Sequence, residues 1–496
     1  MPLLTTKWLR RGWAGAFVQA ALLGGVLAAP VGASAQQSAP AGSSGTSVQV
    51  APVSPMRPVI VKPASSGYVA GEVAGMFLLS LLGAPPEALK ALAAIEQKWE
   101  PGFEPMAFET MMMTRDPVAR VKLLDILQQK TGQKFGPDLR AWLSWAWAND
   151  LPMHPDYPNF KKTYYSLMDK KFREYFGPNK AMSITLNEVV WGGVAQDGIP
   201  PLRDPVMLNA NQAGYLADTD VVYGISIKGD ERAYPKRILA WHEMFVDTIG
   251  GERIAGVYCT LCGTVIAFHT KVDGVVHELG TSGFLYRSNK LMYDKATQSL
   301  WSTMRGEPVI GALVGQNIRL KRDAVVTTTW GEWRRRHPES KVLSLATGYQ
   351  RDYGEGVAYR GYFATDELMF PVPAPDDRLA NKAEVLGLIL DDAQAQALAI
   401  DANYLKANPI HHDETGAHRF VVLTDVSGAN RVYAAEGQTF NAYDGNNSVT
   451  AADGQQWTLT EAGLTSKDGR QLTRLPAHRA FWFGWHAAFP DTRLVK

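Results

Sequence analysis

Cys259 and Cys262 are the only two cysteines in the chain, and they stand in the string Val257-Tyr258-Cys259-Thr260-Leu261-Cys262-Gly263-Thr264. That spacing brings two sulfurs to one side of a tight turn. Gly263 can take the left-handed backbone conformation that closes such a turn. Apolar, β-favouring residues flank the pair on both sides, so the pattern predicts a knuckle between two strands. A thioredoxin-like motif would need a helix to begin after Cys262, and no helix signal stands there. Three chemistries fit the pair. With His242 it makes a mononuclear metal site, and thiolate with imidazole suits copper or zinc. Alone it makes a dithiol–disulfide redox pair. Or it is structural, two buried cysteines or an inert disulfide. The expectation carried forward is metal binding by Cys259, Cys262 and His242, with an oxidoreductase role open to it.

Neighbouring residues supply candidates for the rest of a site. His242-Glu243 falls on a short helix expected over Pro235 to Phe245, and a satisfied buried histidine is the alternative to a ligand at His242. It is not a zinc-protease motif, because Val246 stands where the second His is required. Glu243 is a candidate general base or a support for the ligands. Arg287 and Asp294 lie in the polar string Tyr286 to Asp294. Arg287 suits an anionic substrate, the alternative being an internal Arg–Asp salt bridge. The catalytic candidates are therefore Cys259, Cys262, Glu243, Arg287 and Asp294. Gly280-Thr281-Ser282-Gly283 is no nucleophile elbow, and no phosphate loop or dinucleotide fingerprint occurs, so no nucleotide cofactor is expected.

These residues need a scaffold, and the second half of the chain offers one that reads as doubled. Asp220 to Ile225 resembles Ala383 to Leu388, each a strand-like run around a glycine. Asp247-Thr248-Ile249-Gly250 matches Asp413-Glu414-Thr415-Gly416. Trp330, Trp333 and Pro338 match Trp482, Trp485 and Pro490 with the same internal spacing, and Trp301 matches Trp457. The expected architecture is α+β: a helical region at 68–180, then two tandem related β-rich modules at 186–371 and 381–494, the second degenerate. Alignment sets Cys259 and Cys262 against Thr424 and Ser427, His242 against Asn408 and His269 against Ala434. A reactive type present in one copy only is the better candidate for chemistry. Thr329 and Glu332 read as a capping box before a short helix.

The helical region carries the spacing Val118, Val121, Leu123, Leu124, Ile126, Leu127 on a helix that Asp116 can cap. Its aromatics, Trp142, Trp145, Trp147, Tyr164, Tyr165, Phe172, Tyr175 and Phe176, read as core, with a ligand groove as the alternative. Upstream, Lys7, Arg10 and Arg11 precede an apolar run and Ala33-Ser34-Ala35, the pattern of a secretory signal cleaved near Ala35, an uncleaved anchor being the alternative. Residues 36–67 read as a disordered linker. The protein is expected to be periplasmic or secreted, with no membrane span in the mature chain. The 496 residues hold 50 Lys+Arg against 49 Asp+Glu, a balance that excludes bulk nucleic-acid binding as a default role. A small molecule or an envelope protein is the expected partner, and a non-catalytic scaffold role at the envelope is the alternative from another class.

Several strings in this stretch resemble the family known as domain of unknown function 3179. They are Trp191-Gly192-Gly193-Val194, Asp197 to Leu202, Arg232-Ala233-Tyr234-Pro235, Trp241-His242-Glu243-Met244, Tyr258 to Gly263, Ser282 to Lys290 and Ser299-Leu300-Trp301. The family pattern retains the cysteine pair and His242, and departs from this chain at Val246, where Asn is commoner. The resemblance implies a recognised unit and no reaction.

Overall fold

The computed structural model describes residues 71–390 and 397–496. The expected signal peptide and the linker at 36–67 lie outside the described residues. The architecture is mixed α+β, with helices first and sheets after.

Helices α1 (Glu72–Leu82), α2 (Pro85–Gln97), α3 (Glu104–Met113), α4 (Pro117–Thr131), α5 (Leu139–Ala148) and α6 (Tyr157–Ser166) form the first region. Asp116 caps α4 by accepting the Val118 and Ala119 N–H groups at 2.8 and 3.3 Å. Gly132, at φ 73°, ends it. The buried stripe of α4 is Ala119, Leu123, Ile126 and Leu127, while Val118 and Val121 face solvent at 60% and 58% exposure. The aromatic run is core: Trp142, Tyr164, Tyr165, Phe172, Tyr175 and Phe176 are all buried. Phe284 enters this cluster from the sheet region, its ring 4.8 Å from Phe172 and 4.9 Å from Tyr165. One apolar core therefore runs from the helices to the two cysteines.

After short strands at Val189–Trp191, Leu202–Arg203 and Met207–Asn209, the sheet region continues with β1 (Val221–Ile227) and β2 (Asp230–Pro235), an antiparallel hairpin, followed by α7 (Lys236–His242). Next, β3 (Met244–Ile249), β4 (Glu252–Cys259) and β5 (Thr264–His269) form an antiparallel meander. β6 (Leu279–Tyr286) and β7 (Asn289–Asp294) make a further hairpin. β8 (Val326–Thr329) returns to pair with β1 and leads into α8 (Trp330–Arg336). Thr329 Oγ1 accepts the Glu332 N–H at 3.4 Å. The expected capping box is only half made, because the Glu332 carboxylate turns to Arg335 and Arg336 at 2.6 and 2.7 Å.

Beyond the connector, β9 (Glu384–Leu388) pairs with β10 (Leu398–Asp401), and α9 (Ala402–Ala407) follows. The meander β11 (Ile410–Thr415), β12 (His418–Thr424) and β13 (Asn430–Ala434) comes next. β14 (Ala477–Phe481) pairs with β9 and leads into α10 (Trp482–Ala488). Register corrects one pairing read from the sequence. Asp247 stands opposite Ile254, and Asp413 opposite Phe420. Counting along β4 and β12 from those pairs sets Cys259 level with Asp425, not Thr424. Counted from that level pair the second hairpin is one residue shorter, since Phe420 faces Ala434 where Ile254 faces His269. Asp425 is buried in a network of its own, 2.7 Å from Arg431, which also reaches Glu461 at 2.7 Å.

The two halves interlock. Val325 N–H donates to Ala477 O at 3.1 Å, Phe481 N–H to Cys262 O at 2.7 Å, and Arg336 Nη1 to Asn446 O at 2.9 Å. Each half also packs a tryptophan flat against a strand glycine. A Cβ on Gly224 would stand 2.0 Å from the Trp333 ring, and one on Gly387 would stand 2.1 Å from Trp485. Among the described residues, no helix is long and apolar enough to cross a membrane. Overpacking at either glycine is costly, so Gly224→Ala and Gly387→Ala should each lower stability by about 1–3 kcal/mol. Urea unfolding of the two variants against the parent measures it, and an unchanged midpoint would refute the close packing.

Candidate functional site

The knuckle forms where the sequence puts it. β4 ends at Cys259, β5 begins at Thr264, and Gly263 takes φ 60° between them. The cysteines are joined as a disulfide, with Cα atoms 5.2 Å apart. Their surroundings differ. Cys259 lines a cavity of about 70 Å³ together with Glu243, Thr260, Thr281, Lys290 and Tyr359. Cys262 is fully buried, and its Sγ lies 3.1 Å from Asn289 Oδ1. The Asn289 amide is fixed in that sense, because its Nδ2 donates to Gly484 O at 3.0 Å and to Arg287 O at 3.2 Å. Carbonyls accept only, so Oδ1 has to face the sulfur.

Glu243 enters the cavity through an unusual backbone step. It ends α7 in the left-handed conformation, φ 54°, where helices ordinarily place glycine. Its N–H donates to Leu239 O at 2.7 Å, and its carbonyl accepts the Tyr258 N–H at 2.9 Å, one residue before Cys259. The carboxylate meets Lys290 Nζ at 2.6 Å, Thr260 Oγ1 at 3.2 Å and the Tyr359 hydroxyl at 3.3 Å. Lys290 is 6% exposed at its side chain. Burial depresses the Lys290 ammonium below the usual lysine range, and Glu243 opposes that shift. Burial, with the Glu243 charge beside it, holds the Tyr359 phenol well above its ordinary value. The cavity thus presents a sulfur, a fixed cation, a carboxylate and a neutral hydroxyl.

The hairpin tip beside Cys262 is also strained. Arg287 and Ser288 both take positive φ, 50° and 62°, in a tight turn that favours Asn and Gly. Ser288 Oγ reaches Phe370 O and Pro371 O at 3.0 and 2.8 Å, which pins the tip to the connector.

His242 is a neighbour of this site and not a member of it. Its Nδ1 donates to Pro200 O at 2.9 Å, and its Nε2 meets the Tyr353 hydroxyl at 2.6 Å. Both ring nitrogens are taken, and both sulfurs are bonded to each other. The copper or zinc ligand set expected of Cys259, Cys262 and His242 is therefore not brought together. Among the described residues, no group of three or more His, Cys, Asp or Glu side chains is placed to hold a metal ion. Arg287 and Asp294 also find separate partners. Arg287 Nε pairs with Glu188 at 2.5 Å, and Asp294 with His277 at 3.2 Å. Neither lines the cavity, and they do not pair with each other. His269 bonds Asp323 at 2.9 Å.

Of the expected catalytic set, the structure brings Cys259, Cys262 and Glu243 together. It adds Asn289, Lys290, Thr260 and Tyr359, which the sequence reading left out. Asn289 and Lys290 close the string Ser282 to Lys290, so the motif itself was the available signal. The family described as Protein of unknown function (DUF3179) matches residues 196–492, which covers the knuckle, the hairpin tip and α10. No curated protein and no solved structure matches the chain.

Two outcomes test this geometry. Lys290→Met strands the Glu243 carboxylate, at a cost of about 3–5 kcal/mol, while the double variant Glu243→Gln/Lys290→Met should recover most of that loss. A single-variant loss under about 1 kcal/mol, read by urea unfolding, would refute a buried pair. Burial holds His242 below the usual histidine value, with Arg351 adding to it and Pro200 O opposing. A depressed folded pKa means that its contribution to stability is complete above about pH 6.5 and is lost as the pH falls toward the folded value. The His242 ring resonances should accordingly titrate with a midpoint below 6.5, and a midpoint above it would contradict the assignment.

Proposed function

The chain belongs to the family described as Protein of unknown function (DUF3179), whose name carries no reaction, and we propose that this member performs thiol–disulfide exchange at Cys259–Cys262. One observation carries the reading: the two sulfurs are unequal. Cys259 lines a cavity, and Cys262 is enclosed with an amide oxygen against it. Exchange needs such a division, one sulfur to be attacked and one to leave.

The reaction balances with a reducing dithiol as the second reactant. Its first thiolate attacks Cys259 Sγ through the cavity. The bond between Cys259 and Cys262 breaks, and its electron pair leaves on Cys262. That sulfur takes a proton, and the new S–H donates to Asn289 Oδ1. The second thiol of the reductant, as thiolate, then attacks its own first sulfur, and Cys259 leaves as a thiolate into the cavity that Lys290 also lines. Two electrons pass to the protein, one proton ends on Cys262 and the other goes to solvent, and the dithiol becomes a disulfide. An ammonium beside that cavity favours a thiolate on Cys259, while the hydrogen bond to Asn289 favours the neutral thiol on Cys262. At about 70 Å³ the cavity has room for a thiol side chain and falls well short of the ~300 Å³ of a small-molecule site. This favours a cysteine-bearing protein segment or a slim thiol as substrate. The same reading places the chain in an exported, oxidising compartment, as residues 1–35 lead one to expect.

A second part of the reading concerns the halves. We infer that they are copies of one module and that only the first copy retains the redox pair. The order hairpin, helix, three-stranded meander, and later a returning strand with its helix, occurs from β1 to α8 and again from β9 to α10. Trp333 on Gly224 and Trp485 on Gly387 support the correspondence.

A fixed cross-link is the competing reading, because Cys259 and Cys262 are only 2% and 0% exposed. Single-cysteine variants decide between them. With oxidised glutathione, the native Cys262→Ser variant should form a mixed disulfide on Cys259 at least tenfold faster than Cys259→Ser forms one on Cys262, as read by mass spectrometry. Equal, negligible modification of both native variants, with full modification after unfolding, would leave a structural bridge.

A further inference from the structure

The start of α7 borders a second cavity, of about 280 Å³, apart from the one at Cys259. Lys236, Arg237, Glu355, Arg360 and Phe363 are among its walls. Its outer wall belongs to the segment 352–363, which is tied along α7. The Trp241 indole N–H donates to Asp352 O at 2.8 Å, and Arg237 Nε pairs with Glu355 at 3.2 Å. At the far end of the same helix, Tyr359 reaches Glu243.

The charges in this cavity do not balance. Arg237 is committed, to Asp220 at 2.8 Å, to Glu355, and to Tyr215 O at 3.0 Å. Lys236 is part-buried, and its ammonium lies 4.3 Å from the centroid of the Phe363 ring. No carboxylate of the described residues stands within 4.0 Å of that ammonium. Arg360 donates its Nε to Gly356 O at 3.1 Å. The other guanidinium edge of Arg360 has no carboxylate partner among the described residues. Burial depresses the Lys236 ammonium below its ordinary range, with Glu384 and Glu355 opposing. Lys236 therefore bears a desolvation cost that no carboxylate within 4.0 Å returns, while Arg360 is exposed on the cavity wall and free of that cost. An oxyanion would return it. A lysine offers a point charge and an arginine edge offers paired N–H donors, the combination that suits tetrahedral oxyanions. The volume lies near the lower bound of ~300 Å³ for small-molecule sites.

We propose that this cavity binds a small phosphate-type dianion, free or carried on a small ester, with Lys236 and Arg360 supplying the charge and the Phe363 ring forming an apolar wall. The site stands whether or not Cys259–Cys262 exchanges electrons. Inorganic phosphate, titrated calorimetrically into the full oxidised chain at low ionic strength, is the probe. Saturable binding with one phosphate per chain is expected, displaced by sulfate and not by equimolar acetate. Lys236→Met and Arg360→Met should each weaken it at least tenfold while melting with the parent, and Cys259→Ser/Cys262→Ser should bind as the parent does. Absence of saturable heat, affinity unchanged in both cation variants, or equal competition by acetate would each overturn the proposal. Should Lys236→Met unfold, Lys236→Gln and Arg360→Gln give the same comparison.

Discussion

A lysine ammonium at 6% exposure cannot sit in a protein interior unmatched, and Glu243 is what matches Lys290. The surrounding architecture follows from that need. To deliver its carboxylate, Glu243 leaves α7 in a left-handed conformation that costs a non-glycine residue on the order of 1 kcal/mol or more. The conformation persists because it is over-determined. The carboxylate is held by Lys290, Thr260 and Tyr359, and the backbone carbonyl by Tyr258. Helix end, cysteine knuckle, hairpin and the segment along α7 are thereby fixed to one another through one side chain. The strained Arg287-Ser288 tip serves the same end, since it sets Asn289 against Cys262. Glu243, Arg287, Ser288 and Tyr359, all left-handed, stand beside the disulfide, where strain has something to position.

Local features of this fold were legible in the residues, and long-range ones were not. The knuckle, the turn glycine Gly263, the Asp116 cap and the start of α7 directly after Pro235 are written within a few residues of sequence. Their physics is local, so spacing suffices. The role of His242 was not legible. Its type suits a metal, but Pro200 and Tyr353 decide its bonding, and Tyr353 is 111 positions away. Arg287 and Asp294 show the same limit. A sequence displays a charge and conceals the partner, which turned out to be Glu188 and His277. Lys290 was passed over because a lysine in a polar string reads as solvated, and only the fold shows it buried. The shift of Cys259 from Thr424 to Asp425 comes from a hairpin one residue shorter, which changes register without changing residue types nearby.

The two halves solve the same local problem with different chemistry. At the turn after β4 a covalent bond joins Cys259 to Cys262. At the turn after β12, Asp425 accepts from Ser427 and Ala429 N–H groups at 2.9 and 3.1 Å and pairs with the fully buried Arg431. Arg431 also meets Glu461, whose carboxyl burial would raise but which Arg431, His337 and Arg474 together hold well below the usual range. An ion network of that kind cannot exchange electrons. The covalent turn holds the pair on which the proposed exchange rests, and the network gives the other turn a fixed structural part.

Asn289 takes the orientation it has because Gly484 O accepts its Nδ2, and Cys262 O is covered by Phe481 N–H. Those two partners come from the end of β14 and from α10, and Gly484 stands 195 positions after Asn289 in the chain. The knuckle closes within a few residues, but the cover over Cys262 is supplied by the other half. Loosening the contact between the halves therefore bares Cys262 while the knuckle itself stays closed.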